Sequence, residues 1–122
     1  TSTSNAPAPL GHYSQALVHD GVVYVSGQLA IDPKTGEKMA GPIEEQTELV
    51  LKNIAAILEA AGSGMDRVLK CTVFLSDMSL FGRVNDTYAR VFGDHRPARA
   101  TVAVAGLPKA VDVEIEVIAR KP

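Results

Sequence analysis

The sequence predicts an α+β domain in which two helices cover one face of a sheet of about five strands, in the order β-β-α-β-α-β-β. Two segments place apolar residues at helical spacing, and five short β-prone runs surround them. Glycine and proline turns separate these segments. A length of 122 residues with 46% hydrophobic and 21% charged content suits one domain, residues 1–122, with one core. A chain of this size buries roughly two thirds of its unfolded surface, so self-association would add useful burial.

The chain opens with Ser4-Asn5-Ala6-Pro7-Ala8-Pro9, whose prolines predict an extended arm over residues 1–12. Two runs, Ala16 to His19 and Val22 to Ser26, flank Asp20-Gly21, a strong β-hairpin signal. The turn chemistry of Asp32-Pro33-Lys34-Thr35-Gly36 then ends the hairpin segment. From Glu44 to Ala61, residues Thr47, Val50, Leu51, Ile54, Ile57, Leu58 and Ala61 form one stripe, which predicts a helix stopped by Gly62. Val68 to Leu75 alternates, with Leu69, Cys71, Val73 and Leu75 expected on one face. Ser79 is the expected N-cap of a second helix, with Phe81, Val84, Tyr88, Val91 and Phe92 inward until Gly93. Two last strands are expected over Arg99 to Ala105 and Val111 to Ala119.

Two helices cover only one face of such a sheet. In the last strand Val111, Val113, Ile115 and Val117 point one way, and Asp112, Glu114, Glu116 and Ile118 the other. Glu114 therefore looks toward the uncovered side, while Arg99, Thr101, Ala103 and Ala105 share a parity on what is expected to be the neighbouring strand. A partly apolar open face predicts a subunit interface, with a site shared between chains.

The charge of −2, from 14 acids and 12 bases without a basic block, argues against nucleic acid. Lys52 and Glu59 interrupt the most apolar segment, which excludes a bilayer span there. Thr1 to Pro9 has neither a basic start nor an apolar region, so no secretory leader is read and a cytoplasmic location is expected. The single cysteine, Cys71, reads as a small buried strand residue, and no internal disulfide is possible. His12, His19 and His95 lack the spacing of a zinc helix, and Gly62-Ser63-Gly64 follows a helix where a dinucleotide loop follows a strand. No metal or cofactor site is expected.

Two residues are the chemical candidates. Arg99, restrained by Pro97 and by its strand, could grip a planar carboxylate through two parallel hydrogen bonds, or be a solvated or ion-paired strand-end arginine. Glu114, an acid amid Val and Ile, could be a tuned proton carrier or a carboxylate on the polar face of a half-buried strand.

Several ordered segments carry a resemblance: Asn5-Ala6-Pro7 with Gly11-His12-Tyr13-Ser14-Gln15, Val25-Ser26-Gly27-Gln28, Asp32-Pro33-Lys34-Thr35-Gly36, and Val84-Asn85-Asp86-Thr87-Tyr88. With them go Pro97-Ala98-Arg99, Leu107-Pro108 and Val113-Glu114-Ile115-Glu116. Over nearly its whole length the chain resembles the RidA (YjgF) family of enamine/imine deaminases. The resemblance implies a chorismate-mutase-like, ferredoxin-like fold assembled as a homotrimer with intersubunit clefts. It also implies cofactor-free hydrolysis of 2-aminoacrylate and related 2-imino acids, released by pyridoxal-phosphate enzymes, to 2-oxo acids and ammonia. Arg99 would hold the substrate carboxylate and Glu114 would activate water, with Tyr13, Ser26, Gly27 and Thr101 lining the pocket. His12 stands where the family usually has proline, and Arg96 where it usually has phenylalanine. The loop between the second helix and Pro97 is shorter than in many relatives. The competing readings are a ligand-binding or chaperone-like trimer and an endoribonuclease.

Overall fold

A computed structural model describes all 122 residues. Strands β1 (Ala16–His19) and β2 (Val22–Leu29) form a hairpin, helix α1 (Ile43–Ala60) leads to β3 (Val68–Leu75), and helix α2 (Phe81–Phe92) leads to β4 (Ala98–Ala103). Strand β5 (Val113–Arg120) ends the fold. The sheet order is β1-β2-β5-β3-β4, antiparallel except for the β3–β4 pair. That one parallel pair follows from α2, the crossover that returns the chain to the same end of the sheet.

Local sequence explains each element. Asp20 and Gly21 adopt φ of 51° and 75°, the left-handed pair of a two-residue hairpin loop. Gly62, at φ 80°, closes α1. The α1 stripe packs on the sheet, with Val50, Leu51, Ile54, Ile57 and Leu58 at most 1% exposed. Against them lie Val113, Ile115, Val117 and Ala119 of β5, at most 2% exposed. The alternation expected of β5 therefore holds, and no helix covers its other face.

Several expectations need correction. β2 runs on to Leu29, three residues past Ser26, through an irregularity between Val25 and Gln28. Leu69 is exposed because a register shift between Val68 and Lys70 breaks the alternation and puts Val68 inside. Asp77, not Ser79, does the capping: its carboxylate accepts from the Ser79 amide at the head of a short 3-10 turn, Met78–Leu80, before α2. Phe81 and Val91 stay exposed, since the shorter α2 buries only the narrow stripe of Val84, Thr87, Tyr88 and Phe92. β4 ends at Ala103, and a tight turn over Pro108–Ala110 delays β5 to Val113. Most consequentially, β4 lies beside β3 and not beside β5.

Two buried amides tie irregular segments to this frame. Gln15 Nε2 donates to the carbonyls of Thr3, Ala6 and Pro7, and its Oε1 accepts from the Thr3 amide, so the arm is pinned across β1. Asn53, in α1, donates to the carbonyls of Leu29 and Ile31 at 3.3 and 3.0 Å and ties the end of β2 to the helix. Outside the core, Arg83 makes a two-pronged ion pair with Glu44 at 2.7 and 2.8 Å, and Arg90 meets Glu48 at 2.6 Å. These exposed α1–α2 pairs orient the helices more than they stabilise them. Replacing Asn53 by Leu should leave buried carbonyls unpaired and cost about 1–3 kcal/mol, read by urea denaturation. An unchanged midpoint would show that the helix needs no such tie.

Candidate functional site

The expected site residues divide into two groups. Tyr13, Ser26, Gly27 and Glu114 line one open cavity of about 480 Å³ on the uncovered side of the sheet. Arg99 and Thr101 do not line it. Arg99 pairs in register with Cys71, and Thr101 with Val73, both buried under the helices, whereas Glu114 pairs with Phe74. Side chains on paired residues share a face and successive residues alternate, so Arg99 and Glu114 project from opposite faces, with β3 between their strands. The expectation that Arg99 lies on the strand beside that of Glu114 fails because the neighbour of β5 is β3.

The cavity is carved by a β-bulge. Val25 pairs with Val117 and Gln28 with Ile115, so Ser26 and Gly27 together oppose the single residue Glu116. The extra residue brings the backbone at Gly27 against the Glu114 side chain. A Cβ there would lie 2.9 Å from the Glu114 Cδ and closer still to Oε2, so the glycine leaves room for the carboxylate where it stands and any side chain at this position would displace it. Ser26 is committed to structure: its Oγ donates to the Ser14 carbonyl at 2.6 Å and its amide donates to the Gln15 carbonyl. Tyr13 Oη accepts from the Leu10 amide at 3.0 Å, which holds the ring against the arm.

Glu114 sits in this wall with its carboxyl pKa raised, first by burial and then by the like charge of Glu116. Because the folded state favours the protonated form, this group supports the fold most below the ordinary carboxylate range. That support is lost as pH rises through the raised value. At neutral pH the same shift makes Glu114 a better proton acceptor than a free carboxylate.

Arg99 is seated on α2. Its Nη1 donates to Asn85 Oδ1 at 2.8 Å, and its Cζ lies 4.8 Å from the Tyr88 ring centroid and 5.7 Å from that of Phe81. Its other N–H groups make no hydrogen bond within the chain. Nearby, burial pushes both the Tyr88 phenol and the Cys71 thiol up, while the Arg99 charge opposes both shifts. The two groups lie near each other, and Tyr88 Oη makes no hydrogen bond. His95 shares its short hydrogen bond with the Val68 carbonyl, and Arg96 is exposed without one.

Residues 3–121 match the family model described as Endoribonuclease L-PSP, the YjgF/RidA group. The chain belongs to this family. It is 52% identical over 119 residues to a RutC family protein of Pyrococcus horikoshii, covering 98% of this chain and 94% of that one. It is 48% identical over 118 residues to the 2-iminobutanoate/2-iminopropanoate deaminase of Rattus norvegicus, covering 97% and 86%. The crystal structure of Escherichia coli TdcF with bound serine superposes with a TM-score of 0.94 at 38% identity, covering 99% and 97%.

Family membership agrees with the two-layer fold expected from the sequence. Sequence reasoning missed Leu10, Leu29 and Pro108 as cavity walls, and Asn85 as the Arg99 partner. Phe81, Asn85 and Tyr88 do fall at i, i+4 and i+7 of one helix, a spacing that marks them as one face.

Gly27→Ala should force the Glu114 carboxylate aside and cost about 1–3 kcal/mol, while the same change in a Glu114→Ala background should cost much less. Thermal denaturation of the four proteins reads this coupling, and additive effects would mean that the two residues do not compete for space. Glu116→Gln should lower the Glu114 titration midpoint by removing the like charge, as followed by carboxyl NMR. A midpoint that stays put would leave burial as the whole cause.

Proposed function

We propose that this protein hydrolyses 2-imino acids and their enamine tautomers, such as 2-aminoacrylate, to 2-oxo acids and ammonia. The observation that carries the reading is a carboxyl group with a raised pKa set in an open cavity. On the opposite face of the sheet is a guanidinium with free donors that a substrate carboxylate would engage. The name of the rat relative supports the reaction, and the serine held by TdcF supports an amino-acid-sized ligand.

The chemistry asks for two functions. Arg99 holds the carboxylate by charge-assisted hydrogen bonds, and Glu114 orients a water toward the imine carbon. As the new C–O bond forms, Glu114 takes the water proton and the imine electron pair moves to nitrogen, which receives that proton. Collapse of the tetrahedral carbinolamine breaks the C–N bond. Glu114 then relays the hydroxyl proton to the departing nitrogen, so imine plus water becomes 2-oxo acid plus ammonia and the carboxylate is regenerated. An enamine joins the same route once it gains a proton at carbon and loses one from nitrogen, which makes it the imine.

Since Arg99 and Glu114 project from opposite faces of one sheet, a common substrate needs them from different copies of the chain. A closed ring of three copies that sets the β4 edge of one chain against the uncovered sheet face of the next would meet that need and remove Leu17, Tyr24 and Leu69 from solvent. The description of the family model brings in a second reading, an endoribonuclease. The cavity's Glu114 and Glu116 oppose it by repelling a phosphodiester.

A coupled assay, with a serine or threonine dehydratase generating the imine, should show its disappearance accelerate when this protein is added. No acceleration, or RNA cleavage by the same preparation, would overturn the deaminase reading. Arg99→Lys should lower kcat/KM by about one to two orders of magnitude, and Glu114→Gln should lower kcat by roughly 10²- to 10⁴-fold. Mixing inactive Arg99→Ala and Glu114→Gln chains, unfolded and refolded together at equal amounts, should restore about a quarter of the wild-type sites. Failure to complement would place both residues in one chain's site or outside the chemistry.

A further inference from the structure

We infer that Asn85 is a positioning residue for Arg99: through its side-chain oxygen, and with the Tyr88 ring alongside, it sets the rotation of the guanidinium so that the remaining donors are presented to a carboxylate. The inference rests on the proposed deaminase reading and adds to it a residue that does not itself touch substrate. An arginine on a free sheet edge has four rotatable side-chain bonds, and ordering it costs rotamer entropy unless the scaffold has already ordered it. Here β4 supplies the backbone and α2 supplies the seat.

Phe81, Asn85 and Tyr88 lie at helical positions i, i+4 and i+7, so one face of α2 meets the guanidinium at three points. The two rings approach its Cζ at 5.7 and 4.8 Å, within reach of a cation–π attraction. Rings resist tilting of the planar group but leave it free to rotate about its own axis. The 2.8 Å hydrogen bond from Nη1 to Asn85 Oδ1 removes that freedom and occupies only one of the donors. Asparagine suits this task because its amide oxygen accepts without charge. An aspartate there would pair with the arginine and compete with the substrate for its charge. The ion pairs Arg83–Glu44 and Arg90–Glu48 flank Asn85 on α2 and hold that helix to α1, keeping the seat itself in register.

The experiment compares binding of 2-oxobutanoate with that of its uncharged amide, 2-oxobutanamide, by calorimetry, alongside steady-state kinetics in the coupled assay. The wild-type protein should prefer the acid. Asn85→Ala should weaken acid binding about tenfold and leave amide binding nearly unchanged, raising KM more than it lowers kcat. Asn85→Asp, which keeps the acceptor and the shape, should erode the preference further at unaltered melting temperature. Tyr88→Leu, which removes the ring beside the guanidinium, should weaken acid binding and leave amide binding nearly unchanged. An acid-over-amide ratio within twofold of wild type in Asn85→Ala, while Arg99→Ala abolishes the preference, would overturn the positioning role and leave the deaminase reading intact. Equal weakening of acid and amide would assign Asn85 to general structure and likewise overturn it. If Arg99→Ala also keeps the preference, or wild type shows none, the carboxylate clamp itself fails and takes this inference with it.

Discussion

Everything at the candidate site depends on burial of one face of β5 beneath the two helices. Val113, Ile115, Val117 and Ala119 lose nearly all their exposure there, and each larger side chain contributes on the order of 1.5–3 kcal/mol. A slip of one residue would exchange that face for Glu114, Glu116 and Ile118, forfeiting much of the ~5–15 kcal/mol that holds a domain of this size together. The register of the central strand is thus strongly specified, and with it the side on which Glu114 emerges. The carboxylate owes its place to its valine and isoleucine neighbours.

The same constraint separates the two candidate groups. The helices sit on the face where Arg99 emerges, so the arginine is taken up by α2, with two rings and an amide around it. Glu114 emerges on the face that no helix covers, and its surroundings come from the bulge in β2 and from the arm. One environment orders a cation without neutralising it, and the other partly desolvates an acid. These are the environments that the proposed carboxylate capture and proton transfer would require.

Small residues and buried amides do much of the shaping. Gly27 leaves space for a carboxylate, Gln15 gathers the arm with one side chain, and Asn53 anchors the end of the bulged strand. The two amides satisfy backbone groups that would otherwise be stranded at the margin of the core, where an unpaired carbonyl is costly. The cavity wall is accordingly held by hydrogen bonds that run between segments distant in sequence.

Read alone, the sequence determined the two helices, the Asp20-Gly21 hairpin, the alternation of β5 and the emergence of Glu114 on the open side, because each follows from short-range periodicity or turn chemistry. It also singled out Arg99 and, through its motifs, the family. The tertiary structure decided what depends on partners far away in the chain. That β4 joins β3 and not β5 is set by the crossover of α2, and the register of that pair puts Arg99 on the face opposite Glu114. The bulge at Ser26-Gly27 is marked locally only by its glycine and the register shift that exposes Leu69 not at all; both arise from pairing with β5. The union of Arg99 with Asn85 and Tyr88 spans two elements whose spacing is legible separately, but their meeting is fixed only when the helix packs against the sheet.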